Sequence, residues 1–200
     1  MKNNIKVIFS DLFGVLVGPD YSNLIKYISG VTGETNEKIY RYVFDETSMH
    51  FIRGEISFKQ YFAGVQYKIR KGNAIDYKKF DYFWKQMKVG EMPAVNFLLD
   101  LNNKYKLYII TNTTNSHVKR ISKKFNFINQ FNGIITSNIA KAHKPNVTIF
   151  NYACVEANTN PHEAAFIDDS KENVEAAFNL GMTAHQYKTY AGFVDFIATI

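Results

Sequence analysis

The 200-residue chain has a single cysteine, Cys154, so no disulfide can form within it. Cys154 lies among apolar residues in a helical pattern, which predicts a small core side chain rather than a nucleophile. The mostly apolar run Ile5 to Phe9 near the N-terminus is too short for a signal peptide, and no run approaches a membrane span. We therefore expect a cytoplasmic protein without a membrane partner.

The positive charge of the chain does not follow the pattern of a nucleic-acid-binding protein. The formal net charge is +6, but the lysines are scattered and no recognisable nucleic-acid-binding module is present. The densest basic cluster, Lys68, Arg70 and Lys71, is typical of a solvated surface with weak attraction to anions. Internal repeats and low-complexity segments are also missing. We expect no nucleic-acid partner.

Strand and helix patterns alternate after residue 88, and hydrophobic residues, at 46%, suffice to fill a core. The predicted strands, counting one before this region, are Ile5 to Phe9, Leu107 to Ile110, Gly133 to Ile135, Ala165 to Ile167 and Ala184 to Tyr187. The predicted helices are Val95 to Asn103, Ser116 to Lys124, Pro145 to Ala157 and Lys171 to Leu180. This alternation predicts an α/β fold with a parallel sheet that helices cover on both faces.

Residues 19–88 have only helical patterns, which predicts a helical insertion after the first strand. The predicted helices are Ser22 to Ser29, Asn36 to Glu46, Ser57 to Lys68 and Tyr77 to Lys88. Ser57 and Gln60 have the spacing of a capping box at the start of the third of these helices.

Polar side chains with chemical potential follow the predicted strands or precede the predicted helices. Asp11 follows the first strand, where ligands of open α/β sheets gather, and a carboxylate there can attack phosphorus or carbon. Thr111 and the backbone at Asn112 can hold phosphoryl oxygens, and Lys144 can neutralise charge on nucleophile and substrate.

Asp168 and Asp169 follow the predicted strand Ala165 to Ile167 and, with Asp11, form a plausible Mg²⁺ site. Each of these residues alone also has an ordinary structural explanation, such as a helix cap, a turn or a surface lysine. Their occurrence in order, each at a strand end or helix start, favours metal-assisted displacement on an anionic substrate.

Four motifs make the chain resemble the haloacid dehalogenase-like hydrolase superfamily, in particular its phosphatase-type subfamilies with a helical cap after the first motif. The motifs are Phe9 to Val15, Ile109 to Asn112, Lys144–Pro145 with the following helix, and Phe166 to Ser170 with Asn173, Ala176–Ala177 and Leu180 to Met182. The resemblance implies a Rossmann-like hydrolase core from residues 1–17 and 89–200. It implies a helical C1-type cap at residues 18–88.

The resemblance also implies a role for each site residue. Asp11 forms a phospho-aspartate, Thr111 and the backbone at Asn112 bind phosphoryl oxygens, and Lys144 steadies the nucleophile and the phosphate. The implied Mg²⁺ ligands are Asp11, the backbone carbonyl of Phe13, Asp168 and, in support, Asp169. Arg53 lies in a segment similar to one of the family's caps and is a candidate contact for an anionic substrate.

Phe13 departs from the family pattern, because family phosphatases have an Asp there that protonates the leaving group and later activates water. The sequence offers five candidate replacements, none with a decisive spacing: Asp20, Asp45, His50, His117 and His143. Family dehalogenases have Tyr at this position and need neither the acid nor a metal, but they usually have neutral residues where this chain has Asp168 and Asp169.

Three functions remain open from the sequence. The first is Mg²⁺-dependent hydrolysis of a small phosphorylated metabolite, weak or restricted to good leaving groups because of Phe13. The second is a non-catalytic protein that binds a phosphorylated ligand or a protein partner. The third is 2-haloacid dehalogenation. The sequence leaves the substrate and the oligomeric state undetermined.

Overall fold

The computed structural model describes residues 4–52, 56–86 and 88–200. Its strands are β1 (Val7–Ser10), β2 (Val17–Asp20), β3 (Lys88–Glu91), β4 (Lys106–Thr111), β5 (Gly133–Thr136), β6 (Ala164–Asp168) and β7 (Thr183–Gln186). Five of them form a parallel sheet in the order β5-β4-β1-β6-β7. The predicted α/β fold with a parallel sheet is confirmed.

Strand β1 lies at the centre of the sheet because its residues are apolar on both faces. Val7, Ile8 and Phe9 are all buried, as expected for a parallel strand covered by helices. Phe9 packs in one cluster with Ile110 and Phe166 of the neighbouring strands. Burial of a side chain of this size contributes about 1.5–3 kcal/mol, so the sheet centre is firmly held.

Six α-helices follow the helical insertion along the chain, and the last of them groups largely with that insertion rather than with the sheet. They are α6 (Ala94–Leu99), α7 (Asn115–Ile121), α8 (Ser137–Ala140), α9 (Val147–Ala157), α10 (Lys171–Asn179) and α11 (Tyr190–Ile197). Cys154 lies on α9, and burial raises the pKa of its thiol to about 11. A thiol in this state is a core side chain, as the sequence predicts.

The helical insertion after β1 contains α1 (Ser22–Thr32), α2 (Asn36–Val43), α3 (Glu46–Ile52), α4 (Phe58–Lys68) and α5 (Tyr77–Lys85). Its own core includes the buried side chains Leu24, Ile28, Tyr61 and Phe80. The predicted capping box at Ser57 is present. These helices therefore pack around a second apolar cluster, separate from that of the sheet.

The chain divides into two compact units. The sheet unit comprises Met1–Gly18, Gly90–Tyr187 and Phe196–Ile200, and the helical unit comprises Pro19–Val89 and Lys188–Asp195. The segment Lys188–Asp195 groups with the helices because Arg41 forms an ion pair with Asp195 and the rings of Tyr40 and Tyr190 lie 5.8 Å apart. That residues 18–88 fold as a separate domain stays a prediction.

Several predicted element boundaries are wrong. The helix predicted over Asn36 to Glu46 ends at Val43, and α3 begins after Asp45, whose carboxylate accepts a hydrogen bond from Thr47 N at 2.9 Å. The helix predicted from Pro145 begins at Val147, because Asn146 accepts a hydrogen bond from Thr148 N and caps it. Polar side chains just before α3 and α9 therefore set where these two helices begin.

Two strands are absent from the sequence prediction. β2 and β3 pair into a small sheet at the two ends of the helical insertion, where only helical patterns were expected. Each has four residues, and β2 contains Gly18 and Pro19, which are typical of turns.

Within the described residues, no helix is both long enough and apolar enough to cross a membrane.

Candidate active site

The sheet brings the ends of β1, β4 and β6 to one edge. Ser10, the last residue of β1, is paired with Ile109 on one side and with Ile167 on the other. Asp11 follows directly, and its N–H donates a hydrogen bond to Ile167 O at 2.8 Å. Thr111 is the last residue of β4 and is buried. Polar residues that follow these three strands therefore meet at the edge where such folds bind ligands.

The loop after Asp11 turns tightly and is held by its own backbone. Val17 N donates a hydrogen bond to Leu12 O at 2.7 Å, and Gly14 N donates one to Val17 O at 2.9 Å. Gly14 has a φ of 86°, a left-handed conformation that other residues rarely adopt. A Cβ there would also lie 2.4 Å from Oδ2 of Asp169, so the glycine is needed for this approach.

Lys144 joins two of the acids. Its Nζ lies 2.7 Å from Oδ1 of Asp11 and 2.6 Å from Oδ2 of Asp168. Only 1% of the lysine side chain is exposed, and its ammonium lies 5.6 Å from the ring centroid of Phe166. A buried ammonium of this kind is stable because two carboxylates compensate its charge.

The backbone of Lys144 is fixed by the side chain of Asn112. Asn112 Oδ1 accepts a hydrogen bond from Lys144 N at 2.7 Å, and its Nδ2 donates one to Lys144 O at 2.9 Å. This reciprocal pair ties the segment after β4 to the segment before α9. The side chain of Asn112 is thus a positioning group for the lysine, a role that sequence reasoning missed.

Asp168 is oriented by the helix that follows it. Its carboxylate accepts hydrogen bonds from Ser170 N at 2.8 Å and from Nδ2 of Asn173 at 3.0 and 3.1 Å. Asn173 is the second site residue whose role sequence reasoning missed. The signal was its position in the first turn of α10, three residues after the cap Ser170, which turns its amide back toward the strand end.

Asp11, Asp168 and Asp169, here called the acidic cluster, each have a carboxylate oxygen within 4.8 Å of the others. Burial raises the pKa of the Asp11 carboxyl from 3.8 to about 6 although Lys144 opposes this, and the charge of Asp168 adds to the increase. Burial and then the charge of Asp168 also raise the pKa of Asp169. Burial, more than repulsion between the acids, therefore accounts for both pKa shifts.

The acidic cluster suits a divalent cation. Its donor atoms are hard carboxylate oxygens, which Mg²⁺ prefers over nitrogen or sulfur ligands. A cation among them would favour the charged forms of Asp11 and Asp169, whose pKa values burial raises. The residues present thus fit the metal expected from the sequence.

Phe13 has an aromatic neighbour. Its ring lies 5.8 Å from that of His117, centroid to centroid, with 25° between the ring planes. His117 lies in the first turn of α7, and its Nδ1 is 2.8 Å from Oγ1 of Thr113. Of the candidate replacements for the missing acid, His117 is the one that the described contacts place against Phe13.

The other candidate residues do not show such a contact with Phe13 among the interactions of the described residues. Asp20 accepts a hydrogen bond from Ser22 N at the start of α1, and Asp45 forms an ion pair with Lys68. His50 lies on α3, and His143 precedes Lys144 in the chain. Arg53 lies outside the described residues.

Comparisons with known proteins give a matching family and similar solved structures. The family model described as haloacid dehalogenase-like hydrolase matches residues 5–186, nearly the whole chain. A solved HAD family enzyme from Bacteroides thetaiotaomicron is 25% identical, with 97% of this chain and 98% of that chain covered and a TM-score of 0.55. Its complex with magnesium and inorganic phosphate matches at 26% identity, 93% and 96% coverage and a TM-score of 0.52.

A further solved structure has a similar fold at lower identity. L-2-haloacid dehalogenase from Xanthobacter autotrophicus is 13% identical, with 91% of this chain and 77% of that chain covered and a TM-score of 0.51. Identity at this level shows a common fold and carries no information about the reaction.

Proposed function

The chain belongs to the haloacid dehalogenase-like hydrolase family, and we propose that it hydrolyses a small phosphorylated metabolite with Mg²⁺ through a phospho-aspartate on Asp11. The observation that carries this proposal is the buried bridge of Lys144 between Asp11 and Asp168, with the exposed Asp169 completing the acidic cluster. The helical insertion after β1 is a C1-type cap. The magnesium and phosphate bound by the Bacteroides thetaiotaomicron enzyme support the same chemistry here.

The reaction has two steps, and Asp11 takes part in both. A carboxylate oxygen of Asp11 forms a bond to phosphorus, and the bond from phosphorus to the ester oxygen breaks, so that the leaving group departs with the electron pair. A water oxygen then bonds to phosphorus and the acyl–phosphate bond breaks, which returns the Asp11 carboxylate and releases inorganic phosphate.

The remaining residues position the phosphoryl group and neutralise its charge. Lys144 Nζ, already 2.7 Å from Asp11, offsets the charge that the nucleophile and the phosphoryl group bring together. Thr111 and the backbone at Asn112 hold phosphoryl oxygens at the end of β4. The acidic cluster and the carbonyl of Phe13 would hold Mg²⁺, which supplies further neutralisation of the phosphoryl oxygens.

Phe13 limits this reaction because it has no proton to give. Proton transfer by a positioned side chain contributes roughly 10²–10⁴-fold to a rate. Esters whose leaving group departs as a stable anion lose least from its absence. We therefore expect acyl or aryl phosphates to be turned over best, and alkyl phosphates slowly.

The test is hydrolysis of an aryl phosphate with and without Mg²⁺, with Asp11→Asn as the comparison variant. Turnover that needs Mg²⁺ and is lost in Asp11→Asn, together with a phosphorylated intermediate trapped by acid quench, supports the proposal. Turnover unchanged by Asp11→Asn contradicts it.

One observation favours a second candidate function, the binding of a phosphorylated ligand or protein partner without turnover. Phe13 removes the acid while the lysine and the acidic cluster are kept, a combination compatible with a binding protein. Mg²⁺-dependent binding of phosphate without hydrolysis of any phosphate ester would support this alternative. Halide release from a 2-haloacid without metal would instead support dehalogenation.

A further inference from the structure

Phe13 is an exposed side chain in an otherwise buried loop. Leu12, Val15 and Leu16 are fully buried, whereas 38% of Phe13 is exposed. The loop's backbone hydrogen bonds, with Leu12 O accepting from both Leu16 and Val17, fix which residues point into the core. The ring of Phe13 is therefore held at the surface of the site rather than packed away.

His117 gives that ring a second aromatic group. A separation of 5.8 Å and an interplanar angle of 25° correspond to an offset stack. The imidazole contacts Oγ1 of Thr113 through its Nδ1 at 2.8 Å, and the backbone N–H of His117 donates a hydrogen bond to Oγ1 of Thr114 at 3.3 Å. Phe13 and His117 together form what we call the aromatic pair.

The two rings of the aromatic pair follow the two segments that the proposed function assigns to the phosphoryl group. Phe13 is two residues after Asp11, and His117 follows the segment after β4 that contains Thr111 and Asn112. β1 and β4 are direct neighbours in the sheet. The nucleophile and the proposed phosphate-binding segment are therefore each followed by one ring of the pair.

From this arrangement we infer that the substrate is a phosphate monoester of a planar aromatic alcohol, whose ring stacks on the aromatic pair through Phe13. The inference rests on the proposed function, since it assigns the leaving group of that reaction. A planar ring gains from the quadrupole of another ring as well as from contact area, whereas a saturated ring gains from area alone.

The chemistry of the leaving group agrees with the binding surface. When the Asp11 oxygen bonds to phosphorus and the phosphorus–oxygen bond breaks, an aryl leaving group departs as a phenolate. The phenolate holds the electron pair without a proton from residue 13, because the charge is delocalised into the ring. One residue thus removes the acid and provides the surface that binds a substrate able to react without it.

A binding experiment tests this inference separately from turnover. Benzylphosphonate and cyclohexylmethylphosphonate resemble phosphate esters of a planar and a saturated ring of similar size, and neither is hydrolysed. Titration calorimetry with Mg²⁺ present gives the ratio of their dissociation constants for the wild type, Phe13→Leu and Phe13→Tyr. Phe13→Leu keeps an apolar side chain without a ring, and Phe13→Tyr keeps the ring.

We expect the preference for benzylphosphonate to fall about 3- to 10-fold in Phe13→Leu, the size of one aromatic pair contact, and to persist in Phe13→Tyr. His117→Ala should reduce it less, because the ring of Phe13 remains. An equal ratio in the wild type and Phe13→Leu overturns the inference, as does failure of the wild type to bind either phosphonate. Failure of the wild type to hydrolyse phenyl phosphate rejects the proposed function and leaves this ratio measurable.

Discussion

The acidic cluster with Lys144 and the aromatic pair lie in the same unit but differ in every physical respect. The first is charged and mostly buried: Asp168 is fully buried and 1% of the Lys144 side chain is exposed, while Asp169 is exposed. The second is partly exposed and held by ring stacking and one short contact to Thr113. In the proposed reaction, features that all substrates share depend on the first region, whereas features that distinguish substrates depend on the second.

The largest expected effect comes from removing the nucleophile. Asp11→Asn keeps the size of the side chain but has no carboxylate to attack phosphorus, so we expect kcat for an aryl phosphate to fall at least about 10³-fold. Steady-state assays measure this loss, and Asp100→Asn, which alters an exposed aspartate at the end of α6, is the matched control. Comparable activity in the two variants would remove Asp11 from the mechanism.

The next effect tests whether the lack of a proton donor at position 13 limits the reaction. Phe13→Asp supplies a proton donor two residues after Asp11, so we expect hydrolysis of alkyl phosphates to rise roughly 10²- to 10⁴-fold, with a smaller change for aryl phosphates. Phe13→Asn, which has the shape but no acidic proton, is the control. An equal gain in both variants would mean that the ring of Phe13, and not the missing proton transfer, limits the turnover of alkyl phosphates.

A smaller effect is expected from the group that positions Lys144. Asn112→Ala removes both hydrogen bonds to the lysine backbone, so we expect kcat/KM to fall about 10- to 100-fold for aryl and alkyl phosphates alike. Kinetics on both substrates measure this, with Asn103→Ala, a change at an exposed residue before β4, as control. A loss confined to one substrate class would argue against a role through Lys144.

The smallest effect concerns stability and pH. The folded protein raises the pKa of Asp11 from 3.8 to about 6, so the folded state binds more protons than the unfolded state between these values. The free energy of unfolding contributed by this group therefore falls as pH rises through that window. In Mg²⁺-free protein, Asp11→Asn should be no more stable than the wild type near pH 4 and about 1–3 kcal/mol more stable at pH 7.5.

Urea unfolding in the presence of EDTA at several pH values measures this difference. Asp100→Asn changes an aspartate at the end of α6 and should show no comparable pH-dependent gain. A stability difference for Asp11→Asn that is constant across pH would mean that ionisation of Asp11 is not the cause.

The sequence predicts the fold well where the signal is local. Apolar runs such as Val7 to Phe9 and Ala165 to Ile167 must be buried, and an acidic residue at the end of such a run marks the sheet edge. β2 and β3 were not predicted because each is short and forms only by pairing with the other, about 70 residues away in the chain. Such pairing leaves little trace in either segment alone.

The same distinction applies to the site. The sequence identifies Asp11, Lys144 and Asp168 as candidates, and the structure places Lys144 Nζ within 2.7 Å of a carboxylate oxygen of each acid. The sequence does not reveal that Asn112 holds the lysine backbone or that His117 stacks on Phe13, because these contacts join segments 32 and 104 residues apart. Residue types show what a site can do, and only tertiary contacts show which neighbours orient it.

The segment Lys188–Asp195 has a consequence for exchanging parts between members of the family. It follows the last strand of the sheet in sequence but groups with the helical unit, partly through the ion pair of Arg41 with Asp195. The chain therefore crosses between units four times rather than twice. A chimaera that transplants only residues 19–89 would leave Arg41 without its carboxylate partner, so a faithful graft needs two inserted pieces, not one.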